Sequence, residues 1–281
     1  VGCTSLVTLT LPETMDTIGY EAFSGCTSLK QMDLPEGLTY LGEHAFKNCK
    51  ALETLSLPNT LESIENVFYN CLARKTISVK PNHPTMSSEG GMLYDHNRTE
   101  LIYAGGGVEG DITLPDILTQ IRESALDDCY YITGIVFPGG LNDIGPMTFT
   151  FCSAMEWIQV SDANQDYASH DGMLFEKDLA NLVCCPAGRK SAVTLPDSVY
   201  HLEPYAFAMC SDVPSITVPE GVEILTALMF YRCDNLTDLT LPASIIRIDD
   251  TTFNSCPNVS ITAPADSYAY TWAQGKDQLK E

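Results

Sequence analysis

The sequence predicts a repeat solenoid with parallel strands, on the strength of three columns that recur together. An apolar residue followed by proline stands at Leu11-Pro12, Leu34-Pro35 and Leu57-Pro58, 23 residues apart, and returns at Leu114-Pro115, Phe137-Pro138, Leu195-Pro196, Val218-Pro219 and Leu241-Pro242. Four residues beyond each apolar residue comes another (Met15, Leu38, Leu61, Leu118, Leu141, Val199, Val222, Ile245), and three further on a third (Ile18, Leu41, Ile64, Ile121, Ile144, Leu202, Leu225, Ile248). Each unit then closes on a large apolar residue and a cysteine: Phe23 and Cys26, Phe46 and Cys49, Phe68 and Cys71, Leu126 and Cys129, Phe149 and Cys152, Phe207 and Cys210, Phe230 and Cys233, Phe253 and Cys256, with Cys3 heading the series. Self-similarity at such a period marks stacked supersecondary units. The apolar side chains of one coil cannot offset the entropy of ordering it, so neighbours must cover both of its open faces. Every coil runs the same way, so stacked strands pair in parallel.

Taken in order, the first three coils, from Val1 to about Asn70, are regular, with strands expected at 8–11, 31–34 and 54–57. Proline ends each strand because it has no N–H to give the ladder. The fourth coil begins as Thr76-Ile77-Ser78-Val79 and then departs. Gly91-Met92-Leu93-Tyr94 and Glu100-Leu101-Ile102-Tyr103 flank a polar run from Asp95 to Thr99, which reads as a β-hairpin. The departure recurs in the seventh coil, 81 residues on (Met92 to Met173, Leu114 to Leu195, Cys129 to Cys210). Coils eight to ten are regular, and the last gives way to a segment where Asp266 or Ser267 can N-cap a short helix that closes the open end. Past Gly275 the chain is polar and expected to fray. The organisation is one solenoid domain over 1–281 with eleven coils, hairpin insertions at about 81–110 and 162–191, and a cap at about 264–281.

The columns spell L-x-x-[IL]-x-L-P-x-x-L-x-x-[IL]-x-x-x-[AT]-F-x-x-C over nearly the whole chain, a pattern that resembles the BspA-like leucine-rich repeat. The enlarged coils carry a further resemblance, N-x-x-Y followed by D-G-x-L-[YF], matched by Asn164, Tyr167 and Asp171-Gly172. The resemblance implies an α/β-type repeat solenoid: a leucine-rich repeat right-handed superhelix, parallel β-sheet on its concave face, short strands and turns opposite, and two β-hairpin insertions. It also implies a non-enzymatic cell-surface or secreted interaction module, mostly of host-associated bacteria and also of some protozoa, linked to adhesion and host-matrix binding. The expected partner is an unidentified protein ligand of the host matrix or surface, and the chain is expected to be a monomer. A structural spacer in a larger surface protein and a carbohydrate-binding or enzyme-accessory unit are the alternatives.

Composition narrows the partners. Fifteen basic against 37 acidic residues leave a net charge of −22, which argues against nucleic acid or an anionic membrane. The acids are scattered, as Glu13, Glu36, Asp116, Asp197 and Glu220 show, and suit a self-repelling, solvated surface. No run of about 20 apolar residues is present to span a bilayer. The chain begins inside a coil, at Val1-Gly2-Cys3, and reads as a fragment. Nine of its eleven cysteines share one column, where a small, weakly hydrogen-bonding side chain suits a buried corner; reduced thiols are therefore expected rather than disulfides. Cys184-Cys185, in an insertion, stands out as the more reactive pair.

No catalytic constellation, metal site or cofactor site is expected. His44, His83, His96, His170 and His201 are scattered, and no zinc-protease, hydrolase or phosphate-loop spacing occurs. Asp162-Ala163-Asn164-Gln165-Asp166 opens like a calcium loop but places Tyr167 where the turn needs glycine and Met173 where the bidentate Glu belongs. Gly105-Gly106-Gly107 opens no helix and cradles no phosphate. Sequons at Asn97, Asn235 and Asn258 matter only in a glycosylating host. Binding is the better place to look. Alternation turns one column outward through Thr8, Gln31, Thr54, Thr76, Asp111, Gly134, Trp157, Ala192, Ser215 and Asp238, and its neighbour through Thr10, Asp33, Ser56, Ser78, Thr113, Val136, Gln159, Thr194, Thr217 and Thr240. Most are Thr and Ser, as a solvated strand requires. The candidate partner-binding residues are Trp157, Val136, Asp33, Gln159 and Asp238 on these strands, and Tyr94 and Tyr103 in the first hairpin. Trp157 is either an interface anchor or packed under the neighbouring insertion, and the hairpin aromatics Tyr94, Tyr103, Tyr167 and Phe175 are either hairpin packing or partner surface.

Overall fold

The computed structural model describes residues 1–71, 76–276 and 278; most of the expected frayed tail, at 277 and 279–281, lies outside the described residues. The chain is a β-solenoid of about 11 turns with parallel strands. It divides into two compact units, one formed by Val1–Glu109, Ile117–Tyr131 and Asp143–Thr150, the other by Gly110–Asp116, Ile132–Asn142 and Phe151–Glu281. Coils are numbered along the chain below, coil 2 running over 26–48, coil 3 over 49–70, coil 4 over 71–108, coil 5 over 109–128 and coil 6 over 129–151.

In the first unit, Thr8–Thr10, Gln31–Asp33, Thr54–Leu57 and Thr76–Val79 form a parallel sheet in that order. Leu9, Met32, Leu55 and Ile77 are register partners that face the core, while Gln31, Asp33, Thr54 and Ser56 face solvent. The proline that ends each strand closes a turn: the amides of Met15, Leu38 and Leu61 donate to the carbonyls of Pro12, Pro35 and Pro58 at 3.0–3.1 Å. Two-residue strands follow, Thr17–Ile18 pairing with Tyr40–Leu41.

The corner that comes next is the repeating device of the fold. In all but the corner before Cys256, two of its residues, four apart, adopt positive φ, as in His44 (58°) with Asn48 (58°), Ser124 (55°) with Asp128 (62°), and Leu228 (56°) with Arg232 (57°). Left-handed residues cannot continue a right-handed helix. The corners are therefore turns, and the α/β character implied by resemblance is corrected: among the described residues, helix is confined to Tyr268–Gly275. Corner amides ladder onto the next coil, with His44, Phe46 and Asn48 donating to the carbonyls of Asn66, Val67 and Tyr69 at 2.9, 3.1 and 2.8 Å. Corner rings stack at the same spacing, Phe23 on Phe46 at 5.5 Å and Phe46 on Phe68 at 5.9 Å in the first unit, Phe207 on Phe230 and Phe230 on Phe253 at 5.3 Å in the second.

The cysteine column follows from the same geometry. The thiols of Cys49, Cys71, Cys233 and Cys256 donate to the carbonyls of Phe23, Phe46, Phe207 and Phe230 at 2.9–3.2 Å. All eleven cysteines are free, and Cys3 alone among them is exposed. Cys184 and Cys185 are buried, and burial drives the Cys184 thiol strongly upward in pKa, so the reactivity suggested for this pair is corrected.

Each enlarged coil carries three antiparallel strands rather than the two expected. Met86–Glu89, Met92–Asp95 and Glu100–Ala104 form the first meander, and Tyr167–His170, Met173–Glu176 and Asn181–Cys184 the second. The added strand turns back through Gly90-Gly91 or Asp171-Gly172, both residues of each pair at positive φ, as a two-residue hairpin turn demands. The last strand of each meander rejoins the solenoid in parallel, Glu100–Ala104 against Gln120–Ile121 and Asn181–Cys184 against His201–Leu202.

The second unit holds a parallel sheet of Val193–Thr194, Ser215–Thr217, Asp238–Thr240 and Ser260–Thr262, and a second sheet runs Glu109–Thr113, Tyr131–Phe137, Trp157–Val160. Its helix is capped by Ser267, whose Oγ accepts the Tyr270 amide at 3.1 Å. Ala269 and Ala273 are buried beneath it, and Trp272 lies 5.5 Å from Phe253, at the end of the ring stack.

Candidate functional site

The outward column of the second unit brings three of the expected residues together. Gly134 is the register partner of Trp157, and Val136 of Gln159, on adjacent parallel strands. Between them Ile135 and Ile158 point to the core, each at most 1% exposed, which fixes the alternate residues on the outer face. A Cβ built on Gly134 would stand 2.0 Å from Trp157 Cε2 and 2.2 Å from Cζ2. The indole thus lies across the neighbouring strand, in the space a side chain at 134 would fill. Gly172, in the turn of the hairpin insertion, approaches Trp157 Cβ to 3.3 Å from its own Cβ position, and its carbonyl takes the Ile158 amide at 2.8 Å. Trp157 is half-buried, Val136 half-buried and Gln159 exposed. Of the two readings left open for Trp157, packing against the insertion and presentation on an open face, the geometry supplies parts of both.

Polar groups border this face. Thr133 donates to Asp111 at 2.7 Å and Lys190 to Glu156 at 2.8 Å, both exposed. Beside the turn, Arg189 is buried and donates to the Asp171 carboxylate and carbonyl, fixing the turn that touches Trp157. The sequence had placed Gly134 in the outward column without linking it to Trp157. The signal was there: a glycine inside a strand marks a close approach by something else.

The remaining expected residues lie elsewhere. Asp33 is exposed in the first unit's sheet, between Thr10 and Ser56. Asp238 sits between Ser215 and Ser260, half-buried, and accepts from Thr237 at 2.9 Å. Tyr94 is 1% exposed, its hydroxyl against Met92 Sδ at 3.4 Å and Arg98 over its ring at 5.2 Å. It is a core residue of the hairpin, and burial raises its pKa; its candidacy as partner surface is corrected. Tyr103 stacks on Phe68 at 5.0 Å and takes the phenylalanine place in the corner ladder. Phe175 is fully buried. Among the described residues no group of three or more His, Cys, Asp or Glu side chains is placed to hold a metal ion, and no helix is long and apolar enough to cross a membrane.

Comparison with known proteins accords with this architecture. A family model described as "BspA type Leucine rich repeat region" matches in 6 copies over residues 1–95, 110–177 and 187–268. No curated protein matches the chain. Among solved structures, the pneumococcal vaccine antigen PcpA aligns over 98% of the chain at 19% identity and a TM-score of 0.63. A leucine-rich repeat protein from Eubacterium ventriosum aligns over 85% at 19% identity and 0.60, and a leucine-rich cell surface protein from Faecalibacterium prausnitzii over 98% at 19% and 0.50. The chain spans 66%, 61% and 82% of those three, and at such identity the likeness is one of fold.

Proposed function

The chain belongs to the BspA-type leucine-rich repeat family, and from that premise we propose a non-enzymatic, extracellular or cell-surface interaction module that binds a protein partner. The observation that carries the reading is the indole of Trp157 laid over Gly134 on a sheet face shared with Val136 and Gln159 and bordered by polar side chains. A rigid, half-buried aromatic ringed by polar residues is the composition of an interface anchor, with large contact area and little side-chain entropy to lose. Val136 and Gln159 extend the patch; Asp238 lies on another sheet of the same unit, and Asp33 belongs to the other unit. A surface location draws support from two structural neighbours, one a vaccine antigen and one a cell surface protein. The binding is proposed to be adhesive, with the protein acting as a monomer.

The test is binding of the purified protein to a panel of host matrix proteins and glycans at physiological salt. Saturable binding to a protein, weakened by Trp157→Ala, is the expected outcome. Binding confined to glycans would overturn the protein-partner reading, and no binding anywhere on the panel would count against an adhesive role.

A further inference from the structure

The first unit lacks one corner of its ladder. Coil 4 leaves its meander at Ala104 and returns through Gly105-Gly106-Gly107-Val108 to the next strand, with no Phe-x-x-Cys turn. Tyr103 and Ala104 fill only the phenylalanine end of that rung, the Ala104 amide donating to the Ala125 carbonyl at 2.7 Å, and beyond them the corner of coil 3 faces that of coil 5 across a gap. Side chains of coil 5 close its two ends. Arg122, held by Glu100 at 2.7 and 2.9 Å, donates through Nη1 to the Ile64 carbonyl at 3.1 Å, and Asp128 Oδ2 accepts the Asn70 amide at 2.6 Å. Between these plugs lies a cleft of about 180 Å³. Asn66, Val67 and Tyr69 form one wall, Glu123 and Ser124 the other, and Tyr103 lines it too.

The repeat says which backbone groups the cleft exposes. His44 and Ser124, equivalent to Asn66, donate their amides to the following coil, at Asn66 and Pro146. Asn66 has no following corner. Pro146, equivalent to Glu123, accepts from the preceding coil, and Glu123 has no preceding one. Two coil spacings separate the walls, about 9 to 10 Å at about 4.8 Å each, room for one polypeptide strand. The rim is acidic: Glu123 is exposed, and the Arg122 guanidinium is already paired with Glu100.

We propose that this cleft is a docking slot for a short extended peptide segment of a partner protein, bearing a basic residue, which supplies the missing rung. A peptide carbonyl accepts from the Asn66 amide, and the peptide's own amide donates to the Glu123 carbonyl. Recognition is by main-chain hydrogen bonds, as in strand addition, with a lysine or arginine beside Glu123. The slot lies in the other unit from Trp157 and is independent of the binding proposed there.

A phage-displayed library of random heptapeptides, panned on the full chain at physiological salt, provides the probe. Recovered peptides are measured against wild type, Ser124→Tyr and Trp157→Ala. Ser124→Tyr fills the cleft and should fold, because Tyr205, at the equivalent corner position 81 residues on, already adopts φ 65°, against 55° for Ser124. The expected result is a set of peptides carrying Lys or Arg whose affinity falls at least tenfold in Ser124→Tyr and by less than twofold in Trp157→Ala. Hydrogen exchange at the Asn66 amide should slow when they bind. Recovery of no binding peptide, peptides indifferent to Ser124→Tyr, or an Asn66 amide that exchanges unchanged would each overturn the proposal.

Discussion

His83 does with an imidazole what Asn164, 81 residues later, does with an amide. Its Nε2 lies 3.1 Å from the Pro58 carbonyl and its Nδ1 accepts the amides of Thr85 and Met86 at 3.4 and 3.2 Å; Asn164 donates to Pro138 and Leu141 and accepts from Asp166 and Tyr167. These bonds require neutral imidazole, protonated on Nε2. Burial lowers the His83 pKa, the carbonyls of Pro58 and Leu61 oppose it, and nearby His96, bonded to the His83 carbonyl at 3.1 Å, lowers it further. The unfolded chain therefore takes up a proton that the folded one refuses. The contribution is complete above the ordinary histidine value of about 6.5 and is lost as pH falls from there toward the lowered folded pKa. The urea midpoint should drop between pH 7.5 and 5 in wild type and drop less in His83→Asn; parallel pH profiles would refute the assignment. At Gly134 the prediction is steric. Gly134→Ala must displace the Trp157 ring, costing about 1–3 kcal/mol and moving the protein's tryptophan emission. Such residue-level partnerships were the least legible part of the sequence. Gly134 stands in the outward column and His83 reads only as one of five scattered histidines; what each touches depends on strand register and on insertions that alternation does not describe.

At the scale of elements, the corner explains why the segments before each column cysteine are turns rather than helices. Seven of the eight corners that end in cysteine hold two left-handed residues and the corner at Cys256 holds one, Ser255, and most are not glycine: Tyr205, Met209, Leu228 and Arg232 all adopt φ of 56° to 65°. Such conformations cost an ordinary side chain about 1–2 kcal/mol. Arg232 is exposed, so Arg232→Gly should recover part of that cost, about 0.5–1 kcal/mol, as a rise in the denaturation midpoint; no change or a fall would contradict the corner geometry. The thiol column makes the opposite prediction. Cys233 is fully buried and donates to Phe207 at 3.1 Å, so Cys233→Ala should cost about 1–2 kcal/mol from the lost hydrogen bond and the small void. The periodic columns made the parallel strands, proline turns, hairpin site and capping helix legible, because each rests on a local rule of alternation or capping. The first strand of each meander was missed, since Met86-Ser87-Ser88-Glu89 has little apolar alternation and is held by its turn and its partner. The α/β label came from resemblance, and the positive-φ corners overrule it.

At the scale of the molecule, the two units are not contiguous in sequence. The chain passes from one to the other within coils 5 and 6, at Gly110–Asp116, Ile117–Tyr131, Ile132–Asn142 and Asp143–Thr150. We propose that 1–281 is one folding domain, and expect a single cooperative transition by calorimetry with equal van't Hoff and calorimetric enthalpies; two resolved transitions would refute this. The surface is that of a self-repelling scaffold at a net charge of −22, on which an aromatic placed among Thr, Ser and Gln is the feature that scaffold building does not require. The sequence supplied Trp157 as a candidate because it broke a column of short polar residues, and could not show that Gly134 receives its ring. The most direct measurement is the affinity of wild type and Trp157→Ala for the same protein ligand, with thermal midpoints recorded to confirm that both are folded. The interface reading predicts at least a tenfold loss, about 1.4 kcal/mol or more, with little change in midpoint. Unchanged affinity in a variant of unchanged stability would contradict it and leave Trp157 as packing for the hairpin turn.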